Sequence, residues 1–322
     1  LMIRRPPRST LDRSSAASDV YKRQGRGPLA GPVVAAAVIL PNNHKIDGLA
    51  DSKKLSPKKR KRLFDEIKSV SQVGVGIVSH KTIDEINVLQ GTYKAMRKAL
   101  GGLSKKPEKA LIDGFSLPDQ VIKNEGIIGG DSKVESISAA SIVAKVTRDQ
   151  IMKSMDPIFP EYGFAQHKGY GTKQHMEALN KFKATPIHRK SFNPVKENLP
   201  KISWLKSSQL IGKLGAQLVA LKYLNDGYQI VKMNQTCSHH GEINIITEKN
   251  DQLIFVEVKT ATKDQKPGPD LKLDQSKLQK LKSAIHYYLS ELGEEKDVRL
   301  DISSVIIGKN PIMKNYQGVI LD

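Results

Sequence analysis

The chain has 322 residues, which is long enough for two domains that each bury a core. Lysine and arginine number 52 against 33 aspartates and glutamates, so the formal net charge is +19 and favours polyanionic partners such as nucleic acid. A single cysteine, Cys237, excludes an internal disulfide, and the longest apolar run, Pro32 to Leu40, is too short to span a bilayer. We therefore expect a reducing, cytoplasmic setting with no membrane or disulfide partner.

The first 24 residues, LMIRRPPRSTLDRSSAASDVYKRQ, lack apolar periodicity. An opening this rich in arginine and serine can be taken for a transit peptide. The segment is more similar to the translated sequencing-adaptor read-through found at the ends of environmental gene fragments. We therefore interpret residues 1–24 as a non-native or disordered leader.

A glycine-rich stretch, GRGPLAGP, starts at Gly25. Gly25, Gly27 and Ala30 satisfy the loose dinucleotide-binding pattern G-x-G-x-x-G/A, but that fingerprint requires a helix to begin inside the loop. Here Pro28 and Pro32 are followed by VVAAAVIL, whose apolar run predicts a buried strand. A nucleotide-cofactor site is therefore disfavoured.

The next segments alternate between helix and strand, which implies a mixed α/β sheet. Ser56 and Pro57 predict a helix N-terminus. Around it lies a run of cations: Lys53, Lys54, Lys58, Lys59, Arg60, Lys61 and Arg62. This run is either a solvated face or a surface that lies along phosphates. VGVGIVSH predicts a strand, and TIDEINVLQGTYKAMRKAL predicts an amphipathic helix with Ile83, Ile86, Leu89 and Tyr93 facing inward.

The stretch GDSKVESISAASIVAKVTRD, from Gly130 to Asp149, carries small and apolar residues at the spacing of one buried helical face. Asp131 lies at the mouth of this predicted helix, and Asp113 lies in the strand-like segment LIDG, so the two carboxylates can meet at one end of a sheet. Paired carboxylates in a basic chain indicate divalent metal ions and a phosphodiester substrate, because hard cations take oxygen ligands and bridge phosphate oxygens. The alternative for Asp131 is a helix N-cap without a metal.

Together with LIDG before it and HKGYGT and TPIHRKSFNPV after it, this stretch resembles bacterial ribonuclease HII from Gly25 to about Val195. The resemblance implies a ribonuclease H-like mixed sheet and an endonuclease of DNA repair. Such an enzyme hydrolyses the phosphodiester 5′ of ribonucleotides in RNA/DNA hybrids or duplex DNA and leaves a 3′-hydroxyl and a 5′-phosphate. The resemblance also implies a two-metal mechanism with Mn²⁺ or Mg²⁺, in which Asp113 and Asp131 are catalytic metal ligands.

One departure from the family pattern affects chemistry. The family opens D-E-A-G-R-G, whereas this chain carries Lys22 and Arg23 at the positions of the first Asp and Glu. Two cations there would repel metal ions by on the order of several kcal/mol at an intermediate dielectric. We therefore expect the chain as written to cleave poorly, and the alternative is a non-catalytic protein that binds hybrid or duplex nucleic acid.

The resemblance also assigns substrate-binding residues. In the family, the Gly-Arg-Gly loop and a tyrosine sense the ribose 2′-hydroxyl, and the matching residues are Gly25, Arg26, Gly27 and Tyr170. This hydroxyl is the group that separates a ribonucleotide from its DNA neighbours. The alternative is a turn and a core tyrosine. Three histidines nearby are expected to be structural or to contact phosphate, rather than to bind metal: His167, His175 and His188.

The segment KENLPKISWLK predicts a linker, so we expect domains at 25–198 and 199–322. From Ser207 to Asp322 the predicted order is helix, two strands, a long helix at 273–292 and a strand. This order, with GEI and VEVKT on adjacent strands, resembles the small YraN-like proteins. The resemblance implies a smaller α/β domain of the restriction-endonuclease-like fold.

Alternation along these strands places Glu242 and Asn244 on one face, and Glu257 and Lys259 on one face of the partner strand. Such an arrangement of acids and a lysine can hold Mg²⁺ and polarise a water. The family, however, has Asp where Asn244 stands, and Ala216 or Gln217 replaces the acidic residue of its first helix. We therefore expect a degenerate site in a domain that binds nucleic acid. A zinc site at Cys237, His239 and His240 is disfavoured, since no second ligand pair follows.

Overall fold

The structure is a computed structural model that describes residues 18–205, 207–262, 275–308 and 310–319. Most of the predicted leader, residues 1–17, lies outside the described residues. The chain folds into two compact units: residues up to 26 with 32–148 form the first, and 27–31 with the residues from 149 onward form the second. The domain boundary predicted at residue 198 lies within the second unit and stays a prediction.

The first unit contains a five-stranded mixed sheet in the order β3-β2-β1-β4-β5. Its strands are β1 (Ser18–Gln24), β2 (Val33–Ile39), β3 (Gln72–Val78), β4 (Lys109–Asp113) and β5 (Lys123–Ile127). Strands β1, β2 and β3 pair antiparallel, whereas β1, β4 and β5 pair parallel. The predicted mixed sheet and the buried strand after Pro32 are confirmed. The predicted leader, residues 1–24, includes all of β1. The interpretation that these residues are non-native stays a prediction.

The first unit contains the helices α1 (Pro57–Val70) and α2 (His80–Gly101), and α3 (Glu135–Met155) begins in the first unit and ends among residues of the second. Helix α1 begins where the sequence predicts, because the Ser56 hydroxyl accepts a hydrogen bond from the Lys59 N–H at 3.3 Å. Helix α2 approaches β3 closely at Gly76, where an added Cβ would lie 1.9 Å from the Ala95 carbonyl oxygen. Glycine at this position therefore allows the helix to pack onto the sheet.

Helix α2 differs from its prediction because it restarts at Asn87. This residue has φ 63°, and its side-chain oxygen accepts hydrogen bonds from the N–H groups of Leu89 and Gln90 at 2.9 and 3.1 Å. The side chain thus caps a second helical segment and shifts its phase. Ile83 is buried as expected, but the prediction that Leu89 faces inward is wrong, since Leu89 is exposed.

The second unit contains α4 (Phe164–His167), α5 (Lys173–Phe182) and α6 (Ser208–Asn225), followed by a second five-stranded sheet in the order β10-β9-β8-β7-β6. Its strands are β6 (Gln229–Thr236), β7 (Glu242–Lys249), β8 (Gln252–Thr262), β9 (Val298–Ile307) and β10 (Ile312–Tyr316), and α7 (Gln275–Leu292) precedes β9. Strands β8 and β9 pair parallel and the other neighbours pair antiparallel. The smaller α/β domain is confirmed, with β6 and β10 in addition to the predicted strands.

Two apolar cores hold the second sheet. Val219 and Tyr223 of α6 pack in one cluster with Val256 of β8, and the same cluster contains Phe159. Leu281, Ala284 and Ile285 of α7 pack in another cluster with Leu253 and Phe255 of β8. Alternate residues of β8 therefore belong to different cores, which is the pattern of a strand that is covered on both sides.

Within the described residues, no helix has the length and apolar character needed to cross a membrane.

Candidate metal and nucleic-acid site

One hydrogen bond connects the Asp113 side chain to the backbone of the residue before Asp131. Asp113 is the last residue of β4, and its Oδ1 accepts a hydrogen bond from the backbone N–H of Gly130 at 3.1 Å. Asp131 follows in a short 3₁₀ turn, and its carbonyl oxygen accepts the Ser138 hydroxyl at 2.6 Å. Because α3 begins only at Glu135, Asp131 does not occupy the N-cap position of this helix. The turn brings Asp131 to the end of β4.

Strand β1 lies next to β4, and its register decides what else stands at this edge. Tyr21 pairs with Ile112 at the last position of the parallel ladder, and Lys22 and Asp113 are the residues that follow on β1 and β4. On its other side β1 pairs Lys22 with Ala36 and Arg23 with Ala35. The two family positions for Asp and Glu are therefore filled by Lys and Arg on the strand next to Asp113.

The donor set at this edge does not fit a two-metal centre. Among the described residues, no group of three or more His, Cys, Asp or Glu side chains is arranged to hold a metal ion. Asp113 and Asp131 supply two carboxylates, whereas Mg²⁺ and Mn²⁺ at such centres need further hard oxygen ligands. Within the part of the chain that the structure describes, this edge therefore contains only part of the ligand set that the predicted mechanism requires.

The glycine loop is shaped by a buried arginine, Arg148, near the end of the GDSKVESISAASIVAKVTRD stretch. Gly25 has φ +93°, and an added Cβ would lie 2.3 Å from Nε of Arg148 and 2.8 Å from the Pro32 carbonyl oxygen. Arg148 is 1% exposed and its Nε donates a hydrogen bond to that carbonyl at 3.0 Å. Only glycine fits at position 25. Arg26 and Gly27 are exposed, so the backbone after this turn is open to a ligand.

Backbone hydrogen bonds attach the next part of the loop to the segment that precedes Tyr170. The Leu29 N–H donates to the carbonyl of Gly169 at 2.8 Å, and the Arg189 N–H donates to the carbonyl of Leu29 at 2.8 Å. Arg189 is fully buried, and its Nε donates to the Gly31 carbonyl at 3.1 Å. Within the second unit, residues 29–31 and Gly169 thus form one connected structure.

Three buried histidines fix the backbone around Tyr170. His167 Nε2 lies 2.6 Å from the Tyr162 carbonyl and its Nδ1 accepts the Gly169 N–H at 3.1 Å. His175 Nδ1 lies 2.9 Å from the Tyr170 carbonyl, and its Nε2 lies 2.9 Å from His188 Nε2. Carbonyl oxygens only accept hydrogen bonds, so His167 carries its proton on Nε2 and His175 carries its proton on Nδ1.

The tautomer of His188 follows from its own partners. Its Nδ1 accepts the Thr185 N–H at 3.0 Å, so its Nε2 carries the proton that is donated to His175. All three rings are thus satisfied in the neutral form. Burial lowers the pKa of His175 from 6.5 to about 4, despite the opposing hydrogen bond to the Tyr170 carbonyl. These histidines are therefore structural. This is one of the two roles expected from the sequence, the other being phosphate contact.

The side chain of Tyr170 remains accessible although its backbone is fixed. Its N–H donates to the His167 carbonyl at 3.0 Å, whereas the residue is 39% exposed. A fixed backbone with an accessible phenol suits a residue that contacts a ligand. A tyrosine in a core would have little accessible surface.

The cationic run on α1 has two roles. Arg60 is half-buried, and its guanidinium donates to the carbonyls of Ser52 and Leu55, the latter at 2.8 Å. The neighbouring cations lie exposed: Lys58, Lys59, Lys61 and Arg62. Arg60 therefore holds the preceding loop, and the other side chains are available for phosphate contacts, apart from the surface pair between Lys61 and Asp65.

The four candidate residues of the second sheet have different environments. Glu257 is 2% exposed and forms an ion pair with Nζ of Lys277 on α7. Asn244 Oδ1 accepts the N–H of Val258 at 2.8 Å, Glu242 is exposed, and Lys259 is half-buried. On α6, Ala216 and Gln217 are buried and supply no acid. Lys277 was not identified from the sequence, because it belongs to a distant helix.

The histidine and cysteine before β7 also have local partners. His240 Nδ1 lies 2.8 Å from the Ser283 hydroxyl, and its ring stacks on Tyr287 with centroids 5.0 Å apart. Cys237 is buried, and burial raises the pKa of its thiol. A zinc ligand must be a thiolate, so this environment opposes zinc binding.

Two protein-family models match separate parts of the chain. A family model described as Ribonuclease HII matches residues 24–195. The chain belongs to the ribonuclease HII family. A second model, described as Uncharacterised protein family UPF0102, matches residues 216–305 and confirms the predicted YraN-like part. The adaptor origin of the leader stays a prediction.

Three relatives illustrate the similarity. Ribonuclease HII of Clostridioides difficile (strain 630) is 55% identical over 169 residues, which make up 52% of this chain and 66% of the relative. Ribonuclease HII of a Bacillus cereus strain is 57% identical over 178 residues, 55% of this chain and 69% of the relative. The crystal structure of ribonuclease H2 from Pyrococcus horikoshii OT3 has a TM-score of 0.46 at 25% identity and covers 59% of this chain and 100% of its own. This chain spans about two thirds of the length of these curated relatives.

Proposed function

We propose that the protein is an endonuclease of the ribonuclease HII type. Its substrates are RNA/DNA hybrids and duplex DNA with embedded ribonucleotides, and it acts in DNA repair in the cytoplasm. It hydrolyses the phosphodiester on the 5′ side of a ribonucleotide, and the products carry a 3′-hydroxyl and a 5′-phosphate. The observation that carries this proposal is the match of the ribonuclease HII family over residues 24–195.

The ribonuclease H family is metal-dependent. We assign Asp113 and Asp131 as the ligands of Mn²⁺ or Mg²⁺. The hydrogen bond from the Gly130 N–H to Asp113 supports this assignment, because it connects Asp113 to the turn that contains Asp131. Lys22 and Arg23 oppose metal binding at this edge through charge repulsion on the order of several kcal/mol. The proposed result is a chain whose substrate recognition is intact and whose cleavage, as written, is slow.

Recognition of the ribonucleotide is assigned to Gly25, Arg26, Gly27 and Tyr170. The exposed backbone of residues 26–27 offers N–H and carbonyl groups to a ribose, and the accessible phenol of Tyr170 offers a hydroxyl. These are groups that can distinguish a 2′-hydroxyl from hydrogen. Phosphate contacts are assigned to the exposed cations of α1, which carry no base specificity.

A second candidate function is a non-catalytic protein that binds hybrid or duplex nucleic acid. Lys22 and Arg23 favour it, because they replace the two acids that complete the metal set in the family. The net charge of +19 is compatible with both functions. The two functions predict different cleavage when Lys22 and Arg23 are replaced by the Asp and Glu of the family pattern.

The deciding experiment compares the chain with a Lys22→Asp/Arg23→Glu variant on a duplex that contains one ribonucleotide. Binding should weaken steeply between about 50 and 200 mM salt for both proteins, because phosphate contacts release counterions. With Mn²⁺ or Mg²⁺, the chain as written should cleave slowly and the variant should cleave much faster, at the 5′ side of the ribonucleotide. Rapid cleavage by the unchanged chain would contradict the metal assignment, and an inactive variant that binds normally would favour the non-catalytic function.

A further inference from the structure

The carboxylate of Glu257 is a buried charge in the middle of a strand. Glu257 lies on β8 between Phe255 and Lys259, and only 2% of the residue is exposed. A buried carboxylate is unfavourable unless a cation or several hydrogen bonds compensate it. In a domain of a nuclease-like fold, the compensating cation would be expected to be a divalent metal.

The compensating cation is instead a lysine of the same chain. Nζ of Lys277, in the first turn of α7, forms an ion pair with Oε1 of Glu257. Among the described residues, no other group donates a hydrogen bond to Oε1. The ammonium thus lies at the carboxylate oxygen that a metal ion would bind.

The uncharged residues at two further candidate positions supply no additional negative charge for a divalent ion. Asn244 directs its Oδ1 to the N–H of Val258 at 2.8 Å, so an uncharged amide stands next to the Glu257–Val258 peptide. Ala216 and Gln217 on α6 add no negative charge. One carboxylate and one ammonium are neutral together, whereas a divalent ion normally binds several anionic oxygens.

We propose that the ammonium of Lys277 replaces a divalent cation at Glu257 and keeps the C-terminal site free of metal. The C-terminal domain then has no metal-dependent cleavage of its own, irrespective of the activity of the ribonuclease HII part. The proposal has a specific consequence: removing the ammonium and adding one carboxylate should create a divalent metal site. Asn244→Asp is the suitable addition, because its Oδ1 can still accept the Val258 N–H while its second oxygen becomes a ligand.

The test uses the full chain with Asp113→Asn and Asp131→Asn, which removes the assigned metal ligands of the first unit. Mn²⁺ binding is measured by titration calorimetry and by paramagnetic resonance of free Mn²⁺. Asn244→Asp/Lys277→Met should bind Mn²⁺ at least about tenfold more tightly than this parent, and a further Glu257→Gln should abolish the gain. Asn244→Asp/Lys277→Arg keeps the cation and should show no gain. Asn244→Asp/Lys280→Met is the matched control, since Lys280 is exposed on the same helix.

Two outcomes would overturn the proposal. The first is a folded Asn244→Asp/Lys277→Met variant, verified by its melting curve, that binds Mn²⁺ no better than the parent. The second does not depend on that variant folding: Glu257→Gln alone, in the parent, should leave Mn²⁺ binding unchanged. A loss of Mn²⁺ binding in that single variant would mean that Glu257 already holds a metal.

Discussion

The backbone N–H of Gly130 donates a hydrogen bond to Oδ1 of Asp113 at 3.1 Å, and this bond ties the end of β4 to the turn that carries Asp131. An asparagine at position 113 retains an oxygen that can accept this bond but loses the negative charge. In the Lys22→Asp/Arg23→Glu variant, Asp113→Asn should therefore reduce cleavage by orders of magnitude. Its melting temperature should stay close to that of the parent.

The matched control for this substitution is Asp65→Asn. Asp65 lies exposed on α1 and pairs with Lys61 at the surface, so the change also removes one negative charge. Surface pairs of this kind contribute little to stability. Cleavage should be unaffected in this control, and Asp113 would be removed from the site if its own variant cleaved equally well.

The elements that the sequence predicted well are those with strong local signals. The apolar run after Pro32 gives β2, and the Ser56–Pro57 pair marks the first turn of α1. Strands β6 and β10 were missed because their residues alternate between partly buried and exposed positions without a strong apolar run. Their place in the sheet comes from pairing with β7 and β9, which periodicity along one segment does not reveal.

The candidate site was likewise predicted only in part, because some of its contacts join segments that are distant in the sequence. The positions of Asp113 and Asp131 followed from motifs, but the bond from Arg148 to the Pro32 carbonyl joins residues 116 positions apart. The pair between Lys277 and Glu257 likewise depends on where α7 packs. Contacts of this kind depend on tertiary packing, so spacing within one segment did not predict them.

Acid should destabilise the second unit through His175. Its pKa is lowered to about 4 by burial, so the unfolded chain binds a proton between pH 6.5 and 4 and the folded chain does not. The contribution of neutral His175 to the free energy of unfolding is present above pH 6.5. It is lost as the pH falls towards 4, by up to about 3 kcal/mol. A second proton on His175 would also face the Nε2–H of His188. Urea unfolding at several pH values measures the effect.

His175→Gln should lower the free energy of unfolding at pH 7 and make its decrease towards pH 4 shallower. The control is His286→Gln, because His286 is exposed on α7. The control should retain the pH dependence of the unchanged protein. An equally steep acid loss in the His175→Gln variant would show that other groups cause it.

The core that contains Phe159 should stabilise α6. Phe159 is fully buried, packs edge-to-face with Phe164 at a centroid distance of 6.0 Å, and shares a cluster with Val219 of α6. Phe159→Ala should cost about 3–5 kcal/mol and speed hydrogen exchange in α6. Phe115→Ala is the control, since Phe115 is 73% exposed, and should change stability by less than about 0.5 kcal/mol. Unchanged exchange in α6 would show that Phe159 does not support this helix.

Tyr170 separates ribonucleotide recognition from general duplex binding. Its backbone is held by His167 and His175, whereas 39% of the residue is exposed, so removing the phenol should not disturb the fold. In the Lys22→Asp/Arg23→Glu variant, Tyr170→Phe removes only the hydroxyl and Tyr170→Ala removes the ring. Losing a hydroxyl that reads the ribose should cost ~1–3 kcal/mol, which is roughly tenfold to a hundredfold in cleavage at a single ribonucleotide.

Affinity for plain DNA duplex should change little in both variants, because those contacts join phosphates to lysine and arginine. Tyr316→Ala is the matched control, since Tyr316 is 40% exposed on β10. Melting temperature, plain-duplex affinity and single-ribonucleotide cleavage are measured on each protein. Parallel losses in all three for Tyr170→Ala would mean that the tyrosine only supports the fold. A loss confined to cleavage, and shared by Tyr170→Phe, would assign its hydroxyl to recognition of the ribonucleotide.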